Sequence, residues 1–199
     1  MAAVISERPV TEMLSTRREI VEALEAAHEA ALDYWSQYEL TTFFSPMGEH
    51  WPASDHLRHL TRSMTPLLPV LRVPRLALRV AFGSPEQPSR SIEAIGTLYA
   101  AALRDGATAG RYTPRPDGSA HDQIRRDSIM DAHSETLRSL TQAMERWSEA
   151  QLDTHQLPHP LLGRLTVREM MLFTLLHNRH HVAVAEQRRV ESATHFCCR

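Results

Sequence analysis

The sequence predicts an all-α protein, a four-helix bundle with a long connection between helices two and three. Only 7 of its 199 residues are glycine and alternating β-branched runs are few, which favours helix over sheet. Apolar residues also recur at three- and four-residue steps along several long segments. In the first, Thr11 to Tyr38, the stripe is Ile20, Leu24, Ala27, Ala31 and Trp35, with Arg18, Glu22, Glu25 and Glu29 falling mainly elsewhere. Ser45-Pro46-Met47-Gly48 breaks that pattern. The second helix starts near Ala53, where Ser54 or Asp55 offers an acceptor to its free amides, and carries His56 and His59 in its first two turns. Pro66, Pro69 and Pro74 each remove an amide donor, so this helix kinks or breaks before Phe82.

From Gly83 to Gly118 the chain is less regular, with a short helix expected from Ser91 to Leu103 and then a glycine- and proline-rich connection. Ser119 caps the third bundle helix, along which Met130, Leu137, Leu140, Met144 and Trp147 keep heptad-like spacing with His133 on the same line. His159-Pro160-Leu161-Leu162-Gly163 reads as a turn, and Thr166-Val167-Arg168-Glu169 fits a capping box opening the last helix. Residues 1–8 read as a flexible N-terminus, 9–190 as one domain and 191–199 as a loose tail.

A composition of 42% apolar and 23% charged residues suits one sizeable core. The formal charge of -2 gives no electrostatic reason to expect nucleic acid or an anionic membrane as partner. No segment reaches the roughly 20 apolar residues of a membrane-spanning helix. Cys197 and Cys198 are adjacent and terminal, so no disulfide framework or cysteine-based zinc site can be built in the core. Met1 to Pro9 includes Glu7 and Arg8 and lacks the apolar run of a secretory signal. The expected setting is the cytoplasm.

Histidine is abundant, 12 in all. On the last helix Met170, Thr174, His177, His181 and Val184 trace one face. His177 and His181, at i and i+4, point two imidazoles the same way, the spacing by which one helix grips one divalent ion. A helical pair alone equally fits hydrogen-bonded or solvent-facing histidines. His180, about 100° around the helix from His181, belongs at the edge of that face. His59 brings a third imidazole from a separate helix. His133 reads as a core histidine bonded to a carbonyl in preference to a fourth ligand, and His56 as a capping or surface residue.

Two segments carry a family resemblance. His50-Trp51-Pro52-Ala53-Ser54-Asp55-His56-Leu57-Arg58-His59-Leu60 resembles the helix-two motif of the DinB-like (YfiT-like) metal-binding bundles, which aligns His59 with the family's first ligand. His159-Pro160-Leu161-Leu162-Gly163-Arg164-Leu165-Thr166, followed by His177 and His181, is similar to the family's lead into its His-x-x-x-His pair. Where members often carry a glutamine three positions after the last histidine, this chain has Val184, with Gln187 almost a turn later.

The resemblance implies three neutral imidazoles, His59, His177 and His181, around one divalent ion, zinc or nickel favoured. Three protein ligands with open positions is the catalytic pattern and not the closed structural one. It further implies a metal-dependent transferase using a low-molecular-weight thiol, or a hydrolase, acting on a small molecule. Arg72, Arg75 and Arg79 share a face if the chain stays helical past Pro74, and would either meet the carboxylates of such a thiol or form a solvated face. Glu169 is assigned to the capping box and not to base catalysis. The alternative class is a non-catalytic metal-binding or interaction protein, its triad fastening two helices and the stretch Leu67 to Phe82 serving a homodimer or partner.

Overall fold

In the computed structural model of the chain, residues 14–46, 48 and 50–197 are described, 191–197 as backbone only. The expected flexible segment 1–8 lies outside the described residues. The fold is predominantly helical. Helix α1 (Arg17–Ser36) opens on a capping box: the Thr16 hydroxyl accepts from the Glu19 amide while the Glu19 carboxylate accepts from the Thr16 amide. A short α2 (Leu40–Phe44) leads to α3 (Ala53–Met64). Pro52 occupies the N-cap of α3 with no side-chain cap, so the expected acceptors are engaged otherwise. Asp55 pairs with Arg58 at 2.7 Å and Ser54 is buried.

The prolines break the second helical segment as expected. Pro66 precedes α4 (Leu67–Val70) and Pro74 precedes α5 (Arg75–Phe82), each where a missing amide costs the helix nothing. Helix α6 (Ile92–Arg104) is capped by Ser91, and a single 3-10 turn follows at Gly110–Tyr112. Helix α7 (Gln123–Met144) is capped by Asp122, whose carboxylate accepts from the Arg125 amide at 2.8 Å. The expected cap, Ser119, instead gives its amide to Asp117 in the preceding turn.

After α8 (Glu149–Thr154) the turn foreseen at His159 to Gly163 proves to be the tip of a hairpin. Strands β1 (Gln156–His159) and β2 (Gly163–Thr166) run antiparallel, Leu157 opposite Leu165. Gly163, at φ 74°, makes the reversal that a residue with a Cβ resists. The capping box of the last helix, α9, is present: Glu169 accepts from the Thr166 amide and the Thr166 hydroxyl accepts from that of Glu169. Helix α9 (Val167–Cys197) continues through the segment expected as a loose tail from Glu191.

Helix α1 packs on α7 and α9, α3 on α7 and α9, and α6 on α9. Apolar side chains form two clusters, one around Leu24, Leu140, Trp147 and Leu175, the other around Trp35, Phe43, Leu57 and Ala185. Trp147 is fully buried, donates its indole N–H to the Leu71 carbonyl at 3.2 Å, and lies under the Arg75 guanidinium at 3.5 Å. Arg168 gathers the molecule's lower end, donating to Asp153, to Glu149 and to the Ser15 carbonyl. No helix among the described residues is long and apolar enough to cross a membrane.

Candidate metal centre

Helices α3 and α9 meet along a seam lined by imidazoles. His59 from α3 and His177 and His181 from α9 are all buried, and one nitrogen of each lies within 4.8 Å of the other two. His177 Nε2 is 3.1 Å from His59 Nε2 and 3.0 Å from His181 Nε2. Tetrahedral coordination at about 2.0–2.1 Å separates imidazole nitrogens by about 3.3 Å, so these spacings suit one ion between them.

The outer nitrogens explain why the inner ones face each other. His59 Nδ1 lies 3.1 Å from the Tyr112 carbonyl. A carbonyl only accepts, so Nδ1 carries the proton and Nε2 presents a lone pair to the centre. His181 Nδ1 lies 2.7 Å from His56 Nδ1. When His181 donates there, its Nε2 also turns a lone pair inward. A single proton on His177 Nε2 can satisfy only one of its two neighbours, whereas a cation satisfies all three nitrogens. The residues present therefore fit a divalent metal.

Electrostatics point the same way. Burial first, then the neighbouring imidazoles, hold His177 and His181 well below the ordinary histidine pKa. Burial also lowers His59, and pushes His56 down to about 4 with help from His59. All four are neutral at pH 7, the form that ligates. Aromatic rings fix the cluster sideways: Trp51 packs on His59 with centroids 5.2 Å apart, Trp35 lies nearly parallel to His56 at 5.8 Å, and Phe173 stacks on His177 at 5.2 Å.

The triad opens on a cavity of about 990 Å³ between α3, α6, α9, the 3-10 turn and the hairpin. Trp51, Leu67, Tyr99, Leu103, His159 and Phe173 are among its walls. His180, half-buried, stands at its edge against Tyr99, as its position around the helix implies.

His133 is a core histidine, as expected. It is fully buried and donates Nε2–H to Asn178 Oδ1 at 3.0 Å, while Asn178 donates to the Thr174 carbonyl. Asn178 follows His177, so this pair braces α9 next to the ligand-bearing turn. His56 departs from its expected capping or surface role. It is buried beside His181, and its spacing three residues before His59, which places both on one helix face, is the sequence signal for it. Glu169 is fully committed: besides its capping role it accepts from Arg90 Nε at 2.7 Å and from the Arg90 amide at 2.8 Å. Arg72, Arg75 and Arg79 do not line the cavity. The break at Pro74 separates Arg72 from the helix carrying the other two, and Arg75 is held by Trp147 and by backbone carbonyls.

Comparison with protein-family models, with curated proteins and with solved structures found no match for this chain.

Proposed function

We propose that this protein is a divalent-metal-dependent enzyme that transfers a low-molecular-weight thiol to, or hydrolyses, a small molecule. His59, His177 and His181 hold the ion, zinc or nickel favoured because imidazole nitrogen suits both and the DinB-like resemblance implies them. The observation carrying this reading is the convergence of three buried imidazole nitrogens on one wall of a sizeable cavity. A purely structural site is closed by a fourth protein ligand, and here the open side faces the cavity. In the same reading α1, α3, α7 and α9 are the four helices of a DinB-like bundle, and the molecule works in the cytoplasm without nucleic acid or membrane partners.

When bound, the ion supplies Lewis acidity that lowers the pKa of a thiol or water and polarises an electrophile. The chain's own residues do the rest. Tyr112 and His56 orient two of the ligands, and Trp51 and Phe173 exclude bulk water from the imidazoles. The cavity holds the substrate beside the open side of the triad.

Elemental analysis of the purified protein beside a His59→Ala variant tests the centre. Roughly one transition-metal ion per native chain, and almost none in the variant, is expected; equal metal in both would overturn the assignment. Adding a small thiol and an electrophile to metal-loaded protein tests the chemistry. Turnover supports the enzyme, whereas stabilisation by metal with no turnover assigns the triad a structural role.

A further inference from the structure

The wall of the cavity specifies more than its volume. Among the described residues that line it there is no aspartate or glutamate, and the one arginine, Arg111, is exposed with its guanidinium donating to the Tyr112 hydroxyl. Two of the five wall hydroxyls already donate within the protein, Thr174 to the Met170 carbonyl and Ser63 to the Leu60 carbonyl. Away from the triad, an anionic group would leave water for a wall with no charged side chain but Arg111 to meet it, a costly transfer. A neutral apolar one gains the burial of its own surface and of the half-buried Leu67, Val70 and Leu103.

One polar group of the wall has the direction of its donor fixed by its other contacts. His159, on the hairpin, accepts from the Leu161 and Leu162 amides through Nδ1 at 3.3 and 3.1 Å. An imidazole nitrogen accepting from two amides carries no proton, so the neutral ring has its hydrogen on Nε2. That Nε2 has no partner among the described residues and is not sealed from the cavity that His159 lines. Burial pushes the histidine down to about 4, which keeps it neutral and its tautomer single. The ring sits against Phe173, centroids 4.2 Å apart, and Phe173 in turn stacks on His177. The donor thus lies one aromatic ring away from the metal centre.

We propose that the cavity takes as substrate a neutral, largely apolar small molecule bearing a carbonyl-type acceptor, which His159 Nε2–H receives while the remainder of the molecule reaches the triad. The inference rests on the triad being the reacting centre, and its test reads binding instead of turnover. The probe is Prodan, a neutral naphthyl ketone whose emission moves to the blue in apolar surroundings and to the red when its carbonyl accepts a hydrogen bond. It is titrated into native protein as purified and after chelator treatment, and into two variants. In His159→Asn the shorter side chain keeps an acceptor near the Nδ1 position for the hairpin amides and leaves no N–H at the Nε2 position. In Leu103→Trp the larger indole takes up part of the cavity.

Saturable, blue-shifted binding to the native protein is expected. His159→Asn, folded as judged by an unchanged circular dichroism spectrum, should bind about fivefold more weakly, the worth of one net hydrogen bond, with emission moved further to the blue. Leu103→Trp should weaken binding, because the indole takes volume that the probe would occupy. The proposal is overturned if Prodan does not saturate, if His159→Asn leaves affinity and emission unchanged, or if the anion 2-naphthoate binds tenfold more tightly than Prodan. Prodan binding that persists after chelation supports the ligand assignment whatever the metal content. A protein that retains metal yet ignores Prodan sinks this assignment and leaves the metal centre standing.

Discussion

His133 shows how one buried side chain sets a pH response. Burial, with His28 at a ring distance of 5.1 Å adding to it, pushes its pKa down to about 4. The unfolded chain therefore takes up a proton near pH 6.5 that the folded chain refuses until about pH 4. Its contribution to stability is complete above pH 6.5 and is lost as pH falls through that window. In His133→Leu the dependence of Tm on pH between 7 and 5 should flatten by up to one proton's worth, measured by thermal melts. The variant should also lose about 1–3 kcal/mol at pH 7, because Asn178 Oδ1 loses its donor. An unchanged slope would show that other histidines carry the acid response. Single residues also mark the limit of what the sequence reveals. His177 and His181 are legible together because one helix fixes their relative direction. His56 is harder to place, since its role depends on which ring α9 brings against it. The Tyr112 carbonyl that orients His59 is backbone, which no side-chain motif records.

Among the elements, the start of α9 shows a sequence motif serving two ends. Thr166 and Glu169 form the capping box that the sequence announces, yet the same carboxylate receives Arg90 from the chain that enters α6. Glu169 is 3% exposed and Arg90 about a third, so the pair is only partly screened by water. Glu169→Ala should destabilise by about 2–3 kcal/mol, lowering Tm by about 5–10 °C, with Glu169→Gln recovering part of the loss. A melt within a degree of native would assign the cap no weight. Helix boundaries were legible where prolines or apolar periodicity set them, as at the start of α3, at the break after it and in α6. The hairpin was not, because strands of four residues carry too little alternation to stand out. The helix cap at Asp122 escaped for a similar reason: several polar residues precede α7, and only the preceding turn decides which is free to cap.

At the scale of the molecule, the first and last long helices pack together while α3 bridges α7 and α9, and the imidazole seam lies inside that arrangement. An ion held by residues 59, 177 and 181 joins two helices distant in sequence, and it binds only where both are in place. Zinc at a hundredfold excess over its Kd should add about 2.7 kcal/mol, raising Tm by about 5–10 °C, and a chelator should reverse the gain. The same titration on His59→Ala should leave Tm unmoved, and an equal rise there would place the stabilising ion elsewhere. The all-α class follows from composition and periodicity alone. The cavity does not, because its walls come from α3, α6, α9 and the hairpin, and no local pattern states that they meet.

The order in which those parts are synthesised has a consequence for assembly. Two of the three donors, and the surface on which α1 rests, belong to α9, so a chain stopped before residue 167 possesses one isolated imidazole at position 59 and an uncovered apolar stripe on its opening helix. In the proposed reading an ion can then be taken up only once α9 has been made, and until that point the apolar stripe of α1 is open to contacts with other chains.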